Sequence, residues 1–179
     1  MLISNEWLKD YVNVDQSVQA LAERITRTGI EVDDIIDYTK DIKKLVVGHV
    51  LSKTPHPDAD KLNICQVDLG EEEPVQIVCG APNVDEGQHV IVAKVGGRLP
   101  GGIKIKRAKL RGERSEGMIC SLQEIGISSH VTPKNYESGI YVFPEAVKPG
   151  TDALEALYLN DQVMEFDLTP NRADALSMV

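Results

Sequence analysis

The sequence predicts an α+β protein whose centre is a small, partly open, five-stranded β-barrel. Three observations carry that prediction. Apolar residues recur at helical spacing near the amino terminus, as in Val18, Leu21, Ala22 and Ile25. From Leu45 to Cys120 the pattern changes to five short strand-like runs separated by Gly, Pro and acidic turns. The charge changes over the same stretch: residues 40–116 hold 13 basic and 11 acidic side chains, and the flanks hold 6 and 17. A polyanionic partner would therefore meet the middle of the chain, not its ends.

Composition sets the outer limits. At 179 residues, 42% hydrophobic and 26% charged, the chain can bury a sizeable core as one domain or two small ones. No run approaches the roughly 18 apolar residues of a membrane span. The start, Met-Leu-Ile-Ser-Asn-Glu-Trp, lacks the basic and apolar regions of a secretory signal. Cys65, Cys79 and Cys120 are odd in number and lie in separate apolar runs. They read as reduced, buried thiols of a cytosolic protein.

In chain order, Ser4 caps a short helix that places Trp7, Leu8, Tyr11 and Val12 on one face, and Trp7 and Tyr11 are expected in the core. A second helix begins at Asp15 and ends at Gly29 in a left-handed cap. Ile30 to Tyr38 reads as a strand. The central strands are Leu45 to Ser52, Lys61 to Leu69, Val75 to Cys79, Val90 to Val95 and Gly117 to Cys120. Gly48 marks a bend in the first of them. An apolar slip between Ile64 and Cys65 predicts a bulge in the second. Ser121 and Glu124 form a capping box for one helical turn closed by Gly126. Five short strands with irregular connections suit a Greek-key barrel of the OB type, with a small sandwich as the competing architecture.

Beyond the barrel, Ser128 to Ser138 is polar and reads as a loop, and Ile140 to Phe143 as a strand stopped by Pro144. Asp152 and Glu155 open a helix carrying Leu154, Leu157 and Tyr158. Val163 to Leu168 alternates and puts Met164, Phe166 and Leu168 on one face. Thr169-Pro170-Asn171 has the form of a helix start. That helix is not closed before Val179, so the sequence is expected to be the amino-terminal piece of a longer polypeptide.

The segment from Lys104 to Met118 inverts the local charge. Between Lys104 and Arg114 it sets six cations, Lys104, Lys106, Arg107, Lys109, Arg111 and Arg114, against a single anion, Glu113, with Gly-rich turns on either side. Such a strip fits a polyanion, most often a nucleic acid; a solvated, solubilising loop is the bland alternative. Catalytic motifs are missing. There is no phosphate loop with Lys-Ser or Lys-Thr, no nucleophile elbow and no His pair at zinc spacing. His56-Pro57-Asp58-Ala59-Asp60 lacks the oxygen donors and central Gly of a calcium loop, and Asp58 and Asp60 are expected to fix a turn. The residues favour a binding module over an enzyme.

Several longer motifs are familiar. Val47-Gly48-His49-Val50, His56 to Leu62, Ile77-Val78-Cys79-Gly80-Ala81-Pro82-Asn83, Leu99-Pro100-Gly101, Lys109-Leu110-Arg111-Gly112 and Ser115 to Ser121 resemble the tRNA-binding OB domain. That domain occurs in dimeric tRNA chaperones, some methionyl-tRNA synthetases and the bacterial phenylalanyl-tRNA synthetase β subunit. The flanks Met1 to Val12, Thr28-Gly29-Ile30-Glu31-Val32 and Phe166 to Asp174 resemble the β-subunit family specifically.

The resemblance implies a cytosolic α2β2 ligase that joins phenylalanine to tRNA using ATP and Mg²⁺. Its aminoacylation site lies in the α subunit and its editing site further along β, so this stretch holds no catalytic residue and no metal or cofactor of its own. The resemblance also implies a discontinuous α+β domain, residues 1–39 and 152–179, with the OB barrel, 40–151, inserted into it. No Phe, Tyr or Trp occurs from Thr39 to Asn135, so base stacking is a poor candidate for holding RNA. Phosphate and ribose contacts remain, and Lys104, Lys106, Arg107, Lys109 and Arg111 are the residues expected to make them. The rival reading is an assembly module whose barrel packs on other parts of the synthetase and touches tRNA little.

Overall fold

The computed structural model describes residues 1–176. In chain order the first elements are β1 (Leu2–Ser4), α1 (Asn5–Leu8), α2 (Val18–Arg27) and β2 (Glu31–Asp37). Four longer strands follow: β3 (Lys43–Pro55), β4 (Asn63–Asp68), β5 (Val75–Cys79) and β6 (His89–Leu99). Short strands come next: β7 (Ile103–Lys104), β8 (Ala108–Leu110), β9 (Glu113–Ser115) and β10 (Gly117–Ile119). Then come α3 (Ala153–Ala156), β11 (Gln162–Asp167) and a 3₁₀ turn over Pro170–Ala175.

The chain divides into two units, Met1–Lys40 with the stretch from Leu159 onward, and Asp41–Tyr158. The sequence placed the second crossing at residue 152. In the structure α3 stays with the central unit, tied to β3 by a Val46–Asp152 bridge and by Val47 N–H donating to Thr151 O at 2.8 Å.

In the outer unit β11 lies between β1 and β2 in an antiparallel sheet. The alternation of β11 buries Met164 and Phe166 against Ile3, Val18 and Ala22. Ser17, not Asp15, caps α2, its hydroxyl accepting from Ala20 N–H at 3.3 Å. Ser4 caps α1 by accepting from Trp7 N–H at 3.0 Å.

Trp7 and Tyr11 are not core residues: they are 54% and 49% exposed. The helix stops after one turn at Leu8 and passes into successive turns, so the apolar face that helical spacing predicted is never completed. Leu8 alone of that set packs on the core, and Trp7 and Tyr11 meet edge to face with centroids 6.1 Å apart. The expected helix at Thr169-Pro170 is a 3₁₀ turn, broken at Arg172, where φ is −119° and ψ 39°.

The central unit is built on an antiparallel sheet of order β10-β6-β3-β4-β5, with β7 added on β6 and a separate β8–β9 pair. This is a mixed α/β chain with its strands in antiparallel sheets, and among the described residues they form no closed barrel where the sequence expected a five-stranded, partly open one. β5 meets the β9–β10 segment through isolated contacts and not a ladder: Glu116 N–H to Gln76 O, 2.9 Å, Val78 N–H to the Ser115 hydroxyl, 3.1 Å, and the Gln76 side chain to β9. The reason is local. β9 and β10 have three residues each and are separated by Glu116, and β10 opens on Gly117 at φ 156°, so the run facing β5 is interrupted.

The core of this unit includes Val50, Val67, Ile77, Val90 and Val92, all fully buried. Gly48 serves packing at the point where a bend was expected. A Cβ there would lie 2.7 Å from both Val67 Cγ1 and Val92 Cγ2. The bulge is in β3, not β4: β4 pairs with β5 in unbroken register, and the shift falls between Val50 and Ser52, leaving Leu51 outside. Ile140 to Phe143, expected as a strand, contributes one bridge, Val90–Val142, and Phe143 N–H bonds to His89 O at 2.8 Å.

Candidate nucleic-acid interface

The basic segment runs through three local structures. Lys104 lies in β7, Lys106 and Arg107 in the link to β8, and Lys109 in β8, with Arg111 at the tip of the β8–β9 hairpin. All five are exposed. The hairpin turns on Arg111 and Gly112, both with positive φ, 47° and 98°. Two successive left-handed residues match the twist of a two-residue hairpin. Glycine takes that conformation without cost, and an arginine does not, so the tip holds a cation in a conformation that ordinary residues avoid.

Inside the hairpin Lys109 stands directly opposite Arg114. Like charges facing across a strand pair destabilise it. Arg107 reaches Glu116 at 3.3 Å, an exposed pair of small energetic value. Among the described residues Lys104, Lys106, Lys109, Arg111 and Arg114 meet no carboxylate within ion-pair distance. Concavities of about 420 and 460 Å³ flank the hairpin, lined by Lys109, Arg114 and Glu116 in both cases.

Polar contacts seat the hairpin. His56 is 5% exposed, and both ring nitrogens are used. Nδ1 accepts from Asp58 N–H at 3.0 Å, which leaves the proton on Nε2, donating to Leu110 O of β8 at 3.1 Å. On the other arm Gln76 Nε2 donates to Arg114 O at 3.0 Å and to Glu113 Oε2 at 3.2 Å. The turn 56–62 is thus fixed by the histidine ring and by His56 N–H to Leu62 O, 2.9 Å; the Asp58 and Asp60 carboxylates expected to fix it make no such bonds.

No described group of three or more His, Cys, Asp or Glu is placed to hold a metal. A cleft of about 470 Å³ lies among Cys79, Pro82, Met118, Ser121 and Glu124, where the Glu124 carboxylate accepts from Ser121 N–H at 2.7 Å to close the expected capping box. The three thiols are free and buried. Desolvation pushes Cys65 up to about 11 and Cys120 up to about 12, so neither is a ready nucleophile.

Two features escaped the sequence. Arg114 shares the Lys109 row, which only the strand register reveals. A ring cluster of Tyr136, Tyr141 and Phe143, with centroids 4.9 and 5.1 Å apart, lies just past the ring-free stretch in the same unit. Phe143 is buried and the Tyr136 hydroxyl donates to Val142 O, so two of the three rings are committed to packing.

A family model described as "Putative tRNA binding domain" matches residues 45–152, which contain the hairpin, its pins and the sheet that carries them. The chain belongs to the tRNA-binding domain family. Within that family it is similar over its whole length to the "Phenylalanine--tRNA ligase beta subunit" of two strains of Staphylococcus epidermidis, at 98% and 99% identity. The corresponding subunit of Staphylococcus aureus USA300 is 84% identical over the same 179 residues. The chain spans 22% of the length of each of these relatives. Among solved structures, a MetRS-related protein from Pyrococcus horikoshii is similar at 23% identity and a TM-score of 0.43, over 64% of this chain and 90% of its own.

Proposed function

We propose that this chain is the tRNA-binding, non-catalytic amino-terminal region of a phenylalanine–tRNA ligase β subunit. In this reading it works in the cytoplasm within an α2β2 enzyme that attaches phenylalanine to tRNA. ATP and Mg²⁺ belong to that enzyme's catalytic subunit. The described residues of this chain do not fit them, having neither a phosphate loop opening a helix nor a three-ligand acidic or His cluster. The central unit is a variant of the OB barrel left open between β5 and β10. It is inserted into a discontinuous α+β domain built from both ends of the chain.

The observation that carries the proposal is the run of exposed cations Lys104, Lys106, Arg107, Lys109 and Arg111, which passes from β7 through the link into a hairpin seated by polar contacts. Arg107 alone of the five has a carboxylate partner. Cations arranged this way bind ribose-phosphate by charge and shape, with little sequence preference. A gel shift of the chain with bulk tRNA tests this. Retardation at 50 mM salt that fades at 200 mM is the expected result. Free migration of tRNA at both salts favours the assembly-module reading.

A further inference from the structure

The β3–β6–β7 end of the sheet holds a second concentration of positive charge. Lys43 of β3 pairs with Arg98 of β6, and Arg98 pairs on its other side with Lys104 of β7. Directly opposed residues in antiparallel strands project to the same face, with strands spaced about 4.8 Å apart. Three cations therefore stand in one row across three strands. All three are exposed, and among the described residues none meets a carboxylate within 4.0 Å. Lys94, further back on β6, is by contrast matched with Glu71.

The backbone is shaped to make this row. Gly97 has no room for a side chain, since a Cβ would lie 2.8 Å from Lys43 O and from Lys94 O, beside the point where Arg98 faces Lys43. Beside it Lys44 takes a left-handed φ of 58°, and its ammonium sits 3.3 Å from where a Gly96 Cβ would be. An unmatched row of like charges costs stability, as does a left-handed lysine.

We propose that Lys43, Lys44 and Arg98 form a second phosphate-binding row, continuous through Lys104 with the hairpin, which grips the backbone of the same RNA. This rests on the RNA-binding reading above and extends it onto β3 and β6. The row gives the RNA a contact on the rigid sheet in addition to the hairpin.

The test compares Lys43→Gln/Arg98→Gln with a hairpin variant, Lys109→Gln/Arg111→Gln, in binding bulk tRNA across 50–200 mM salt, alongside thermal melting. The row variant should bind several-fold more weakly at low salt. Its slope of log affinity against log salt should be shallower by about one per cation removed. Its melting temperature should be unchanged or higher, since repulsion is relieved. Lys43→Arg/Arg98→Lys, which keeps both charges, should retain the wild-type slope. A row variant with wild-type slope and affinity, beside a weakened hairpin variant, overturns the second row and leaves the RNA-binding reading standing. Loss of binding in the charge-keeping variant assigns the effect to structure and also overturns it. If wild type fails to bind tRNA, both readings fall.

Discussion

Along β3 and β6 the side chains of Val47, Val50, Val90 and Val92 are fully buried, whereas in β8 and β9 only Ser115 is. The sheet is held by apolar burial; the hairpin is seated by a few hydrogen bonds of His56, Gln76 and Ser115. Each such bond contributes about 1 kcal/mol, and one buried aliphatic side chain contributes more. The buried apolar residues of the sheet and the exposed cations are therefore separate sets of side chains. A change among the buried residues of the sheet should move unfolding, and on the proposed function a change among the exposed cations should move salt-dependent binding with the fold intact.

The largest expected effect is on the sheet side. Ile91→Ala removes a fully buried side chain paired opposite Val47 and should cost about 2–5 kcal/mol in urea unfolding. A cost below about 1 kcal/mol would break the contrast. Next comes alkaline pH. Burial holds the Cys65 and Cys120 thiols protonated up to about 11 and about 12, while unfolding returns them to 9.0. The folded state keeps protons that the unfolded chain releases. This contribution is whole below pH 9 and is lost as pH rises through 11 to 12, by about 1 kcal/mol per thiol at pH 10. Urea midpoints at pH 8 and pH 10 measure it, and equal midpoints would contradict burial of those thiols.

A smaller effect sharpens the comparison from the hairpin side. His56→Asn keeps an acceptor for Asp58 N–H and loses the donor to Leu110 O, so it should cost about 1 kcal/mol and shallow the salt slope. His56→Gln, which can still reach Leu110 O, should keep more of the slope. If both variants bind with the wild-type slope, the hairpin is seated without His56.

What could be read from the sequence followed the range of the forces involved. β5 and β11 were legible because their alternation is local, and the capping box at Ser121 because its partners are three residues apart. The end of α1 was not, because no Gly or Pro stops it and Trp7 and Tyr11 continue the apolar spacing past Leu8. The hairpin was hidden for a similar reason. Its strands are three residues long, too short for a period, and its turn has Arg111 where Asn or Asp would signal the left-handed geometry. The cations themselves were plain in the sequence. Their opposition, Lys109 to Arg114 and Arg98 to Lys43 and Lys104, is a matter of register between distant strands, as is the seam between β5 and β10 that stays open.

The smallest expected effect on stability belongs to the variant that tests the central claim. Replacing Lys104, Lys106, Arg107, Lys109 and Arg111 together by Gln should shift unfolding by no more than about 0.5 kcal/mol per site, since all five are exposed. The decisive measurement is its affinity for bulk tRNA as a function of salt. A slope shallower than wild type by several charges, at an unchanged melting temperature, is the predicted result. A slope equal to that of wild type would place the RNA contact somewhere other than this hairpin.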